Sequence, residues 1–325
     1  MRGCLSGIGT GLALGSILCI SALGLLTSRY GWKQYLEVFS HFQLQYLLLC
    51  LILTGFLMFL GRRRPVWVAL FCCALISAQI APWFWPPHFI NRSGDNANLR
   101  VLVANLNTQN TDYGKILAIA RAEQPDLAVF MEIDTPWVEQ LDTLSDILPY
   151  SSGQANPYNV GIMLYSRQPL IDPEINFLGT EIYASVVSQV RFHEQTLSVV
   201  AAHPPPPVKS SFFHARNRQL DQVGQYLQTV DNPALLLGDF NLSMWSPYYR
   251  RLEQQAGLYN ARKGFGILPS WPTRGTYHQI PDWASPLFSI PIDHCLLSPS
   301  IQVLDVRTGP ETGSDHLPLI VDLRV

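Results

Sequence analysis

In the C-terminal part of this 325-residue sequence, successive short apolar runs each end on a side chain that can bind a cation or carry a proton. Asn105 closes one run and Glu132 the next. His203 follows, then Asp239 with Asn241 two residues on, then Asp293, and finally Asp315 with His316. A buried strand avoids carboxylates, amides and imidazoles unless they are paired or hold a metal. Singly, each has an ordinary structural reading. Asn105 or Asn241 suits a turn, Asp239 after Gly238 a turn or helix cap, and His203 before prolines a loop. Glu132 or Asp293 suits a salt bridge. As a set they have the makings of a site, with oxygen donors for a hard divalent cation and imidazoles whose ordinary pKa suits proton transfer.

The elements that must position them alternate between strand and helix. Strand-like runs lie at 99–106, 127–130, 160–165, 183–192, 196–202 and 234–237, and again at 292–297, 301–306 and 317–323. Helical periodicity appears near 113–123 and in a longer stretch containing Arg216, Gln219 and Leu220. Residues 204–207, four consecutive prolines, form a stiff loop. The expected organisation is one large domain over 99–325, preceded by a polar linker at 91–98 and an apolar segment at 1–90.

That first segment is of a different kind. The whole chain is 48% hydrophobic and 14% charged, whereas soluble domains carry about a quarter charged residues. Residues 1–91 hold six Lys/Arg and a single acid, Glu37, a net +5; residues 92–325 hold sixteen Lys/Arg and twenty-three acids, a net −7. Stretches 4–26, 44–60 and 65–85 contain no Asp, Glu, Lys or Arg, and about 20 helical residues cross the hydrocarbon core. The second is short, but Phe39 and Phe42 can extend it. Gly7, Gly11 and Gly15 recur at a spacing of four, either a face for helix packing or the ordinary glycine content of membrane helices. A cleaved signal peptide is a poorer account of the first stretch, because two more spans follow. Arg62, Arg63 and Arg64 between spans two and three face the cytoplasm by the positive-inside rule. The loop with Arg29, Lys33 and Glu37, and everything after Trp85, then lie outside. Cys4, Cys19, Cys50, Cys72 and Cys73 fall in the spans, which leaves Cys295 without a partner for an internal disulfide.

The segments VLVANLN, PDLAVFMEID, VVAAHPP, LLLGDFN, PIDHCLLS and GSDHLPL occur in that order across 99–325. They resemble the endonuclease/exonuclease/phosphatase superfamily, the metal-dependent phosphoesterases related to DNase I. GDFN and SDH are the most diagnostic. WSPYYRRL, GFG, SWPT and PIDH further resemble bacterial membrane-anchored members, the VanJ-type and YafD-like proteins. The resemblance implies an α+β fold, a four-layer αββα sandwich, here preceded by three transmembrane helices.

It also implies roles. Glu132 and Asn105 would bind Mg²⁺ or Mn²⁺, Asp315 would complete the site directly or through water, and Asn107 would assist a second metal. His316, oriented by Asp293, would donate to a phosphoryl oxygen or move a proton. Asp239 would orient or deprotonate the attacking water, and Asn241 and His203 would donate to the phosphoryl oxygens. His294, next to Asp293 on a regular strand, should point to the opposite face as a structural or rim residue. Lys209, Arg216 and Arg218 read as a solvated helix face, one of which could reach a substrate phosphate. Trp245, Tyr248, Tyr249, Trp271 and Trp283 read as packing residues or as a lipid-facing rim.

The expected activity is hydrolysis of a phosphate ester or pyrophosphate, with a phosphorylated lipid or another small phosphoester as substrate. The expected place is the outer face of a bacterial inner membrane. A domain of net charge −7 without a basic cluster lacks the electrostatic footprint of nucleic-acid binding. The alternatives are a nuclease or nucleotide phosphodiesterase of the same fold and a tethered, inactive binding module. The complete residue set weighs against the last.

Overall fold

The computed structural model describes residues 2–31, 33–85, 97–277 and 279–325. Most of the expected linker at 91–98 therefore lies outside the described residues. Helix α1 (Arg2–Tyr30) leads through a short α2 (Gln34–Glu37) and a 3-10 turn (Val38–Phe42) into α3 (Gln43–Phe59), and α4 (Arg63–Ile80) follows. All three stretches are long and apolar enough to cross a membrane, the second because the turns from Gln34 onward extend it. Among the described residues, nothing packs on the Gly7, Gly11 and Gly15 face. A Cβ at any of them would meet nothing within 4 Å, because the buried side of α1 is instead lined by Ala13 and Ile17.

The remainder runs β1 (Leu99–Asn105), α5 (Tyr113–Glu123), β2 (Leu127–Met131), α6 (Thr135–Leu141), β3 (Tyr150–Gln154), β4 (Ile162–Ser166), β5 (Leu170–Asn176), β6 (Ser185–Phe192) and β7 (Gln195–Ala202). It continues through α7 (Ser210–Leu227), β8 (Ala234–Asp239), α8 (Pro247–Ala256), β9 (Tyr259–Asn260), β10 (Asp293–Leu297), β11 (Gln302–Thr308) and β12 (Leu319–Arg324). Among the described residues these strands form two six-stranded sheets, ordered β11-β12-β1-β2-β4-β3 and β5-β6-β7-β8-β10-β9. Each has one parallel pair near its centre, β1 with β2 and β7 with β8.

Alternation along the central strands builds the layers. Val101, Val103 and Val129 of the first sheet meet Val199, Leu235 and Leu237 of the second in the core between them. The opposite faces carry Leu102, Ala104 and Phe130, which pack on α5 and α6 around Trp137, and Val200 and Leu236, which pack on α7 and α8. The result is the expected α+β sandwich of four layers, αββα.

The sandwich sits on one end of the three-helix bundle. Ser28 Oγ, near the end of α1, donates to the Trp245 carbonyl at 2.8 Å. Trp245 Nε1 donates to the Gln79 carbonyl of α4 at 3.1 Å, and Gln45 in the first turn of α3 donates to the Ser289 carbonyl at 3.2 Å. Trp83 accepts from the backbone amides of Gly264 and Gly266. Arg62–Arg64 lie at the other end of α3 and the start of α4.

Candidate active site

The parallel strand pairs set the site's position, because their C-terminal ends meet at one edge of the sandwich. From the first sheet come Asn105, the last residue of β1, Glu132, one residue past β2, and Asp315 and His316, just before β12. From the second come His203, one residue past β7, Asp239, the last of β8, and Asp293, the first of β10. Asp293 lies opposite Asp239 in the antiparallel ladder, so the two carboxylates share a face. Gly238 is required beside them: at φ +148° a Cβ would come within 1.9 Å of the Ala202 carbonyl oxygen. Glu132 and Asn241 both hold left-handed backbone conformations, φ +54° and +52°, uncommon for non-glycine residues.

The predicted side chains converge. Asn105 Nδ2 donates to Glu132 Oε1 at 2.9 Å and to Asp239 Oδ2 at 3.1 Å. His316 Nδ1 lies 2.9 Å from Asp293 Oδ2, and its Nε2 points at Asp239 Oδ2, 3.6 Å away. His203 Nε2 stands 3.6 Å from the same Asp239 oxygen and 3.7 Å from Glu132 Oε1. Asn107 Nδ2 and Trp271 Nε1 hold the two oxygens of Asp315 at 2.9 and 3.0 Å. The Asn241 backbone amide donates to Asp239 Oδ1, and one side-chain N–H goes to the Pro204 carbonyl.

Burial sets the electrostatics. It drives the Glu132 carboxyl up to about 7 and that of Asp239 up to about 8, with neighbouring carboxylates adding to both. Burial also lowers His203, to about 4, so it is neutral. For His316 burial opposes the proton, but the Asp293 and Asp239 carboxylates outweigh it and raise the imidazole to about 10. The Asp293 carboxyl is buried too, yet its bonded partner His316 holds it below the usual range. Asp293–His316 is thus a charged pair, whereas Glu132 and Asp239 are crowded acids whose repulsion and burial His316 only partly offsets.

Two donor sets among the described residues bring their ligand atoms within 4.8 Å of one another: Glu132–His203–Asp239 and Asp239–Asp293–His316. Oxygen-rich donors of this kind fit a hard divalent cation, and neither ring nitrogen of buried His203 has a hydrogen-bond partner among the described residues. Asp315 belongs to neither set, its two oxygens being held by Asn107 and Trp271. Asn105 presents its amide nitrogen to Glu132, while its oxygen accepts from the Asn107 backbone amide at 3.1 Å. Oxygen ligation by Asn105 requires that amide to turn over.

Other expectations are corrected or refined. Arg216 is neither a solvated residue nor a substrate contact. It is fully buried, 3.2 Å from the equally buried Glu37 carboxylate, and its Nη1 donates to the Asn241 carbonyl at 2.9 Å. Lys209 lies over the Phe212 ring, and Arg218 is exposed beside a cavity of about 630 Å³ with Glu181 and Tyr183. His294 is structural, as expected. It is buried, with Nε2 2.8 Å from the Leu242 carbonyl and Nδ1 3.1 Å from Asn260 Nδ2. Trp245 and Tyr249 are packing residues, and Trp283 is exposed. Sequence reasoning missed Arg262, fully buried and bonded to the Asp293 carbonyl. It also missed Ser314, whose Oγ donates to the Asn105 carbonyl at 2.7 Å and accepts from the His316 amide at 3.1 Å. Ser314 lies inside the GSDH segment and could have been read as its tether.

A four-layer sandwich whose central strands end on clustered carboxylates, amides and imidazoles defines a class of phosphoester-cleaving proteins. Residues 102–316 match the Endonuclease/Exonuclease/phosphatase family, and the chain belongs to it. No curated protein matches the sequence. Among solved structures, the chain is similar to D. rerio TDP2 complexed with single strand DNA product, at 15% identity and TM-score 0.59, covering 70% of this chain and 99% of that one. It is also similar to the human Nocturnin catalytic domain with bound sulfate anion, at 18% identity and TM-score 0.57, covering 74% and 99%. An endonuclease/exonuclease/phosphatase from Beutenbergia cavernae matches at 20% identity and TM-score 0.56, covering 71% and 72%. At such identities these likenesses establish the fold.

Proposed function

We propose that this chain is a divalent-cation-dependent phosphoesterase held in a membrane by its three N-terminal helices, acting on a lipid-linked phosphate ester or pyrophosphate at the outer face of a bacterial inner membrane. The observation that carries the reading is the seating of the catalytic loop on the bundle. The chain leaving Asp239 runs directly into Ser243, whose hydroxyl meets His41 Nδ1 at 2.9 Å, and into Trp245, which bonds both α1 and α4. A site so close to the helices meets lipid headgroups more readily than soluble polymers. The position of Arg62–Arg64 at the far end of the bundle supports an outer location for the sandwich by the positive-inside rule. The net charge of −7 after residue 91 disfavours nucleic acid, and the segments resembling membrane-anchored bacterial members agree with a tethered role.

Glu132 and Asp239 would hold the cation, with Asp315 reaching it through water. Bound there, the cation would neutralise phosphoryl oxygens. Asp239, deprotonated when the cation is bound, would orient the attacking water and accept its proton. His316, kept protonated and oriented by Asp293, donates from Nε2 to the phosphoryl group. Neutral His203 and the free N–H of Asn241 supply further hydrogen bonds to the charge that develops there.

The test is a comparison of substrates with the full-length protein in Mg²⁺: a polyprenyl pyrophosphate, a phosphodiester lipid and DNA. Phosphate release from a lipid with little DNA cutting is expected. Strong DNA cleavage without lipid turnover would instead establish the nuclease alternative.

A further inference from the structure

The segment between Trp271 and Ile290 carries four large exposed apolar side chains: Tyr277 (41% exposed), Trp283 (77%), Leu287 (50%) and Phe288 (48%). Among the described residues Tyr277 meets the Trp271 ring edge-on at 6.1 Å, yet each of the four leaves two-fifths or more of its surface uncovered. From Tyr277 to Ile290 the sequence holds a single Lys, Arg, Asp or Glu, Asp282. Scattered apolar residues on a soluble surface need no explanation, but a contiguous apolar loop does.

Its height against the bundle supplies one. The segment is tied to α3 through the bond from Gln45 Nε2 to the Ser289 carbonyl. Gln45 is fourteen residues before Phe59, the last residue of α3 before the Arg62–Arg64 turn, which at 1.5 Å per residue is a rise of about 21 Å. The hydrocarbon core is about 30 Å thick, and any tilt lowers the height reached. If the arginine turn marks one boundary of the core, Gln45 lies several ångströms short of the other. Its side chain leans toward the helix N-terminus, outward, which lifts Ser289 to the level where acyl chains meet headgroups. Leu287 and Phe288 immediately precede Ser289 in the chain.

We propose that residues 283–288 dip into the outer leaflet of the bilayer, with Leu287 and Phe288 among the acyl chains and Trp283 and Tyr277 in the headgroup layer. Aromatic side chains favour that layer, and an apolar loop continuous with membrane spans extends a surface that lipid already covers. The loop also ends on the site. Ile290 is bridge-paired with Trp271, whose indole holds Asp315. The insertion therefore fixes the catalytic edge at headgroup height and commits it to substrates presented there. This rests on the reading of α1, α3 and α4 as membrane spans and deepens that of a lipid-linked substrate.

A nitroxide attached at Phe288→Cys in the full chain, its native cysteines replaced by alanine so that none in the spans takes the label, and reconstituted in phosphatidylglycerol–phosphatidylcholine vesicles, tests insertion by power saturation. Collisions with lipid-soluble oxygen should exceed those with a water-soluble nickel chelate. A nitroxide at His193→Cys, in the β6–β7 hairpin at the opposite end of the sandwich, should show the reverse. Equal exposure of both positions to the chelate would overturn the proposal. In parallel, Leu287→Ser/Phe288→Ser should lower turnover of a bilayer-borne phosphate ester about tenfold and leave that of a short-chain, water-soluble ester unchanged; equal effects on both would also overturn it. If the unaltered protein turns over no lipid at all, the substrate reading fails while the nitroxide result still decides the insertion.

Discussion

Glu37, in the turn between the first two long helices, and Arg216, on α7 of the sandwich, face each other at 3.2 Å with neither side chain exposed. Neither carboxylate oxygen of Glu37 accepts a well-directed hydrogen bond among the described residues, so the pair is held by charge. Arg216 passes the contact on to the Asn241 carbonyl. The helical bundle thereby fixes the backbone of a residue in the candidate site.

Removing one partner leaves a buried charge uncompensated, which costs about 3–5 kcal/mol. Glu37→Gln should lower thermal stability strongly and reduce turnover with it. Glu37→Gln combined with Arg216→Met should recover much of the stability and little of the turnover, because the Asn241 carbonyl then loses its donor. Unfolding curves and initial rates on the three proteins check both statements.

His316→Ala removes the proposed proton donor and the partner of Asp293, and should lower turnover by about 10²–10⁴-fold, the usual range for a positioned acid or base. Asp293→Asn should shift the same step in pH, since Asp293 is the largest of the charges that raise His316. The alkaline limb of the rate profile should move to lower pH, and an unmoved limb would show that His316 is not the acid.

Cation affinity should rise with pH. Glu132 and Asp239 have carboxyls raised to about 7 and about 8 by burial, and a cation binds their deprotonated forms. A raised pKa means that, without the cation, these groups favour the folded state below their unfolded values and lose that contribution as pH climbs through 7 and 8. The increase in melting temperature on adding Mg²⁺ should therefore be small near pH 5.5 and large near pH 8. An increase independent of pH would place the cation elsewhere.

Trp271→Phe keeps the ring and removes the indole donor to Asp315. It should reduce turnover about tenfold while changing melting temperature little, since one hydrogen bond contributes about 1 kcal/mol. A rate equal to that of the unaltered protein would leave Asp315 without a role in the site.

The candidate site was legible because its residues sit at strand ends, where a polar side chain after an apolar run stands out. The central strands were legible for the same reason, being apolar on both faces. The edge strands β3, β5 and β9 were not, although the fourth, β11, was. β3, reading Tyr-Ser-Ser-Gly-Gln, has no fully buried residue. β5 is broken by a register shift between Ile171 and Glu174, around Asp172 in a left-handed conformation and Pro173. Arg216 was misread because its place on an amphipathic helix looks solvated until Glu37, in another part of the chain, is brought against it. The orientation of the Asn105 amide is a matter of its three neighbours and leaves no trace in the sequence.

The central claim is that these scattered donors gather around one divalent cation that the reaction requires. Its most direct test is phosphate release by the full-length protein after EDTA treatment and Mn²⁺ titration, with bound Mn²⁺ counted by electron paramagnetic resonance, beside Glu132→Gln. The account predicts that activity and bound Mn²⁺ return together and that Glu132→Gln loses both while remaining folded. Full activity in EDTA, or Mn²⁺ binding and turnover undiminished in Glu132→Gln, would contradict it.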